Sequence, residues 1–118
     1  MRTAAAFVIA FVALEHLWFF VLESFLWQKP LGLKTFRMDP AKAAITAPLA
    51  KNQGVYNGFL SAGLVWSLLA SEPPAREIAI FFLGCVALAG VVGALTVSRR
   101  ILLIQTVPAA LGLALLAR

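Results

Sequence analysis

Long runs of apolar residues, separated by polar or proline-bearing segments, organise the 118-residue chain. The run over residues 4–27 is apolar on nearly every face. At about 1.5 Å per residue it predicts a helix of roughly 36 Å, enough to cross a hydrocarbon core of about 30 Å. Residues 28–51 break the pattern. QKPLGLK carries Pro30 and Gly32, and Asp39-Pro40 has the form of an N-cap followed by proline at the first helical position, which predicts a short surface helix from Pro40. Thr46-Ala47-Pro48 repeats that signal, so span two is expected to open near Pro48 and run over 48–70. SEPPARE turns the chain, and span three covers 78–97. Only Ser98-Arg99-Arg100 precede span four, 101–117, which makes spans three and four antiparallel neighbours. The expected fold class is all-α. It is an integral membrane four-helix bundle, a single domain over 1–118, with a short amphipathic or interfacial helix between spans one and two.

Composition sharpens this picture. With 62% hydrophobic and 13% charged residues the chain lies outside the make-up of a soluble domain, so the bilayer is its expected partner. The start, MRTAAAFVIAFVAL, resembles a signal peptide, but the apolar run continues to Trp27 without a small-residue cleavage site, and it reads as a retained first span. The single cysteine, Cys85, offers neither a disulfide nor a thiolate metal site. The net charge of +5 does not point to nucleic acid, because the bases sit at junctions between apolar runs rather than on an aromatic basic face. Lys29, Lys34, Arg37, Lys42 and Lys51 follow span one, opposed by Asp39, and Arg99 and Arg100 follow span three. By the positive-inside rule both basic loops are cytoplasmic and both termini face outward.

Against that background the polar residues inside the spans stand out. An ionisable group at mid-bilayer costs about 2.5 to 3.5 kcal/mol on insertion scales, so it is expected to face the bundle interior and take a partner. His16 and Glu23 are seven residues apart, nearly on one helical face, with Phe20 and Trp27 continuing the stripe. Glu15 is rotated by about 100°. Span two supplies Asn52 with Tyr56 and Gln53 with Asn57, each pair four residues apart, and Gly54 and Gly58 form a GxxxG, read as packing. Gly90 and Gly93 mark a second close approach. Span four carries Gln105 and Pro108; the proline frees the Ile104 carbonyl and can bend the helix. A candidate ligand site therefore comprises Glu15, His16, Glu23, Asn52, Gln53, Tyr56, Asn57 and Gln105.

The chemistry open to these groups is limited. A carboxylate beside an imidazole can exchange a proton with it, which suits proton-coupled transport or acid and base roles for Glu23 and His16 in an enzyme acting on a lipid or quinone. One histidine excludes bis-histidine haem, and no phosphate loop or nucleophile motif is present, so no metal or cofactor is expected. The leading expectation is an intramembrane polar pocket for a small lipophilic or weakly polar ligand, or for protons. A dimeric proton-coupled exporter, an intramembrane enzyme and a structural subunit of a membrane complex remain open beside it.

The blocks HLWFFVLESFLW, NQGVYNGFLSAGLVW and GALTVSRRILLIQTVPAALGL, in that order, resemble the bacterial membrane family called domain of unknown function 1304. The resemblance covers nearly the whole chain and places the family's polar signature on His16, Glu23, Trp27, Asn52, Gln53, Gly54, Tyr56, Asn57, Gly58, Gln105 and Pro108. Ser24 departs from it, since methionine is common there in relatives. It implies four helices in the bacterial inner membrane and carries no activity with it.

Overall fold

Polar side chains and prolines decide where each apolar run starts and stops being helical. The computed structural model describes residues 3–118, and these form α1 (Thr3–Ser24), α2 (Pro30–Phe36), α3 (Pro40–Leu69), α4 (Pro74–Thr96) and, after a π-helical turn at Leu102–Thr106, α5 (Val107–Leu116). No strand occurs among the described residues. By length and composition α1 and α4 can each cross a membrane, with mean hydropathies of 2.2 and 2.6; the Leu102–Leu116 segment is apolar but shorter.

The boundaries differ from the sequence expectation at four places. First, α1 ends at Ser24 rather than Trp27, and turns follow it, with Leu26 N–H donating to the Val21 and Leu22 carbonyls and Lys29 N–H to Leu26. Trp27 therefore leaves the stripe shared by His16 and Glu23. Second, the short helix between the first two long helices lies at Pro30–Phe36, where a break was expected, and not from Pro40. Pro30 starts it because the missing N–H is not needed in a first turn. Arg37 ends it in the left-handed region, φ 54°, with its N–H donating to Leu33 and Lys34 carbonyls. Gly32 is required there, since a Cβ would overlap the Leu26 carbonyl and stand 2.7 Å from the Trp27 oxygen.

Third, the helix opening at Pro40 does not stop before Pro48. Asp39 caps it as expected, its Oδ1 accepting from Lys42 N–H at 2.7 Å, and α3 then runs through Pro48 for 30 residues. The proline removes the bond to the Ala44 carbonyl, but Ala44 is exposed, so that carbonyl can be solvated. Fourth, the expected continuous span over 101–117 is interrupted by the π-helical turn. Pro108 cannot donate to Ile104, and Val107 N–H reaches back five residues to Leu102 instead of four.

The chain divides into two compact units, cutting α1 after Leu14 and α3 after Phe59. Residues 15–59 form one, holding the end of α1, α2 and the first part of α3. The other contains the start of α1, the end of α3, α4 and α5. Its core is small and aliphatic: Ala5, Ile9, Val12 and Ala13 from α1, Leu64 from α3, Ala79, Leu83 and Val86 from α4, and Ala109 and Leu116 from α5. The 5, 9, 12 and 79, 83, 86 spacings each place one helical stripe inward. Small residues let the backbones approach: Gly90 sits against Thr106 and Gln105, Gly93 against Ile101, and Gly112 against Leu83. These pairings run in opposite senses along α4 and the following segment, so the two are antiparallel. Hydroxyls facing neighbouring helices are satisfied by carbonyls, with the buried Ser61 Oγ donating to Ala13 at 2.8 Å and the half-buried Thr106 Oγ1 to Ala87 at 3.1 Å.

Arg76 closes the C-terminal end of α5 in the same unit. Its Nε and Nη2 donate to the Leu116 carbonyl at 3.0 and 2.8 Å, where the helix leaves carbonyls unpaired and its dipole favours a cation. Arg76→Ala is expected to cost about 1 kcal/mol, and Arg76→Lys to recover part of it, in detergent unfolding curves.

A cleft floored by Glu23

In the unit of residues 15–59, the last turns of α1 meet α3 through the face carrying Gly54, Asn57 and Gly58. A single helix turns one stripe inward, and here positions i, i+3 and i+4 are chosen for small volume and one amide. Gly54 packs on Glu23 and Ser24, and Gly58 lies 3.4 Å from the Phe20 ring, measured from an added Cβ. That approach brings the Asn57 amide onto the Glu23 carboxyl: Asn57 Nδ2 donates to Glu23 Oε1, and both side chains are buried. Ser24 Oγ donates to the Lys51 carbonyl at 3.2 Å, one turn earlier on α3.

These contacts shape a cleft of about 620 Å³ lined by Glu23, Ser24, Phe25, Trp27, Gln28, Lys29, Ala47, Pro48 and Lys51. Its walls are largely apolar, from Phe25, Trp27, Ala47 and Pro48, with Ser24 and Gln28 adding polar groups. Trp27 is fixed in place by its indole N–H, which donates to Thr46 Oγ1 at 3.0 Å, and by its ring contact with Phe36, 4.7 Å between centroids. Thr46 in turn donates to the Lys42 carbonyl at 2.8 Å, so the indole is tied to α3 through a hydroxyl that α3 itself orients. Glu23 is buried, whereas Lys29 and Lys51 are exposed, so the carboxyl forms the floor and the ammonium groups stand at the mouth.

The expected site residues fall into separate groups. Glu23 and Asn57 are brought together. His16 is buried, its ring edge-on to Phe19 at 5.3 Å, and its Nδ1 lies 3.8 Å from Glu15 Oε1. That distance is too long for a hydrogen bond. Glu15 Oε1 is itself buried and accepts no hydrogen bond among the described residues. Two helical turns separate His16 from Glu23, about 10.5 Å along the axis, so their shared stripe does not by itself make them a pair. Asn52, Gln53 and Tyr56 are exposed on α3, Tyr56 edge-on to Phe59 at 5.8 Å. Gln105 is half-buried on the π-helical turn and belongs to the other unit. Among the described residues no three His, Cys, Asp or Glu side chains cluster closely enough to hold a metal ion.

Sequence reasoning missed Ser24, Phe25, Gln28, Lys29, Ala47, Pro48 and Lys51 as lining residues and placed Trp27 on the stripe of His16 and Glu23. Ser24 and Trp27 lie one and four positions beyond Glu23, a proximity that could have marked them once the helix was known to end there.

Comparison with known proteins agrees with the signature these residues carry. The family described as "Protein of unknown function (DUF1304)" matches residues 10–117. A relative from Lactococcus lactis subsp. lactis (strain IL1403), named "Uncharacterized protein YpaA", is 32% identical over 108 residues, covering 90% of this chain and 86% of its own. No solved structure matches the chain.

Proposed function

The chain belongs to the DUF1304 family, and on that premise we propose that it is a bacterial inner-membrane protein of four spans that holds a small lipophilic or weakly polar ligand in the cleft floored by Glu23. The observation that carries the reading is the buried Glu23–Asn57 contact at the base of an apolar cleft with an open mouth. A carboxyl group withdrawn from solvent is costly unless it is used, and the cleft gives it something to face.

Membrane residence is supported by the residues that remain uncovered. Phe7 is 73% exposed, Leu69 81%, Leu88 66% and Leu95 82%, on three different helices. In water such large apolar areas would drive association, whereas in lipid they are the outer surface of the protein. The lysines and arginines after α1 and α4 support a cytoplasmic side for the basic loops.

Native mass spectrometry of the protein released from its own membrane in mild detergent tests the ligand. A defined extra mass is expected on the wild type and is expected to fall at least tenfold in occupancy in Glu23→Gln, which keeps the shape of the side chain but changes what it can donate and accept. A wild type that carries no mass, or a mass equally retained by the variant, would refute a cleft organised around Glu23.

A further inference from the structure

We infer that the ligand of this cleft is an amphiphile with an anionic head group, a phosphate or carboxylate carried on an apolar chain, and that Lys29 and Lys51 receive the head group at the mouth; the inference rests on the cleft reading above. Lys29 and Lys51 are the charged residues that line the mouth, and they come from different elements, the turn after α1 and the first half of α3. The Ser24 hydroxyl donates to the Lys51 backbone carbonyl at 3.2 Å, which ties the end of α1 to the turn of α3 that carries Lys51, and both lysines line the same cleft. The one carboxyl in the lining, Glu23, lies at the floor and already accepts from Asn57. It does not neutralise the mouth by pairing with either lysine.

The remaining lining completes the complement to an amphiphile. Gln28 adds an amide donor, while Phe25, Trp27, Ala47 and Pro48 offer apolar surface to the first part of a chain. Because the Trp27 N–H is taken by Thr46, the indole contributes surface rather than a hydrogen bond. Residues 28–51 carry Lys29, Lys34, Arg37, Lys42 and Lys51 against Asp39 alone, the charge balance of a segment at an anionic lipid surface. A cationic lipophile would meet two ammonium groups at the mouth, so the cleft selects against the substrates a cation exporter needs.

The test compares four forms, the wild type, Glu23→Gln and two double variants, in lipid nanodiscs of phosphatidylcholine doped with phosphatidylglycerol or with oleate, reading the lipid retained per protein on transfer to mild detergent. Lys29→Gln/Lys51→Gln removes the two charges at the mouth, and Lys34→Gln/Lys42→Gln removes the same charge from the same segment outside the cleft lining. All the replaced lysines are exposed, and helical circular dichroism checks the fold. With about fivefold per lysine for a direct ion pair with the head group, the mouth variant is expected to retain roughly 30-fold less anionic lipid after transfer to detergent, where attraction to the bilayer surface no longer acts, and the control variant about twofold less at most. Lysine-dependent retention of phosphatidylglycerol identifies a phospholipid head group, and of oleate alone a carboxylate amphiphile; either supports the inference. Equal losses in both double variants would assign the effect to diffuse surface charge and overturn it. A neutral ligand lost in Glu23→Gln but kept in the mouth variant would overturn the ligand class and leave the cleft standing. Absence of any retained ligand in all forms would remove the cleft reading as well.

Discussion

Asn57→Leu is expected to destabilise the protein by about 2 kcal/mol, because it leaves the buried Glu23 carboxyl without the amide that donates to it. The effect is asymmetric. Glu23→Leu in the Asn57→Leu background removes the stranded acceptor and is expected to restore most of the lost stability, since replacing both partners of a buried polar pair by apolar groups is often close to neutral. Unfolding by denaturing detergent in mixed micelles, run on both single variants and the double, gives the coupling directly. Additive losses would mean that the two side chains act independently. The restored double variant is also expected to hold no ligand, so stability and binding separate in the same protein.

Gly54→Leu is expected to cost about 3 kcal/mol and Gly54→Ala between about 1 and 2, by the overpacking such substitutions produce. Even a single methyl group at Gly54 would overlap Ser24 Oγ and stand 3.1 Å from both Glu23 Cβ and the Ser24 backbone nitrogen. Rotating Ser24 cannot relieve the backbone contact, so α1 and α3 must part and the cleft floor with them. Gly58→Ala, by contrast, meets the Phe20 ring at 3.4 Å, an ordinary contact, and is expected to be nearly silent. Gly84 has nothing within 4 Å of an added Cβ, and Gly84→Ala is expected to stabilise by about 0.5 to 1 kcal/mol through helix propensity. The two glycines of one GxxxG thus differ, and thermal unfolding of the three alanine variants ranks them.

The positions of the long helices were legible because long apolar runs bounded by prolines and polar turns have few alternatives. The ends were less so. Asp39-Pro40 announced its cap, but the failure of Pro48 to break α3 depended on an exposed Ala44 carbonyl, a tertiary circumstance that local patterns do not encode. The helical form of Pro30–Phe36 depended on Gly32 fitting under the Leu26 and Trp27 carbonyls. For the site, Glu23 and Asn57 were both visible as polar residues within apolar spans. Which of Asn52, Gln53, Tyr56 and Asn57 turns toward α1 is a question of helix rotation, decided by the small residues Gly54 and Gly58 beside Asn57. The stripe through His16, Glu23 and Trp27 assumed a helix that continues past Ser24. It ends there, and the residues released into the turn, Trp27 through Lys29, become the wall and mouth of the cleft.

The most direct measurement is photo-crosslinking in native membranes with a diazirine-bearing acyl probe, followed by peptide mapping of the labelled sites. Label is expected to concentrate on residues 23–29 and 47–51, to be saturable by unlabelled amphiphile and to be lost in Glu23→Gln. Label spread over exposed apolar positions such as Phe7, Phe11, Leu88 and Leu95, without saturation and unchanged in the variant, would contradict it.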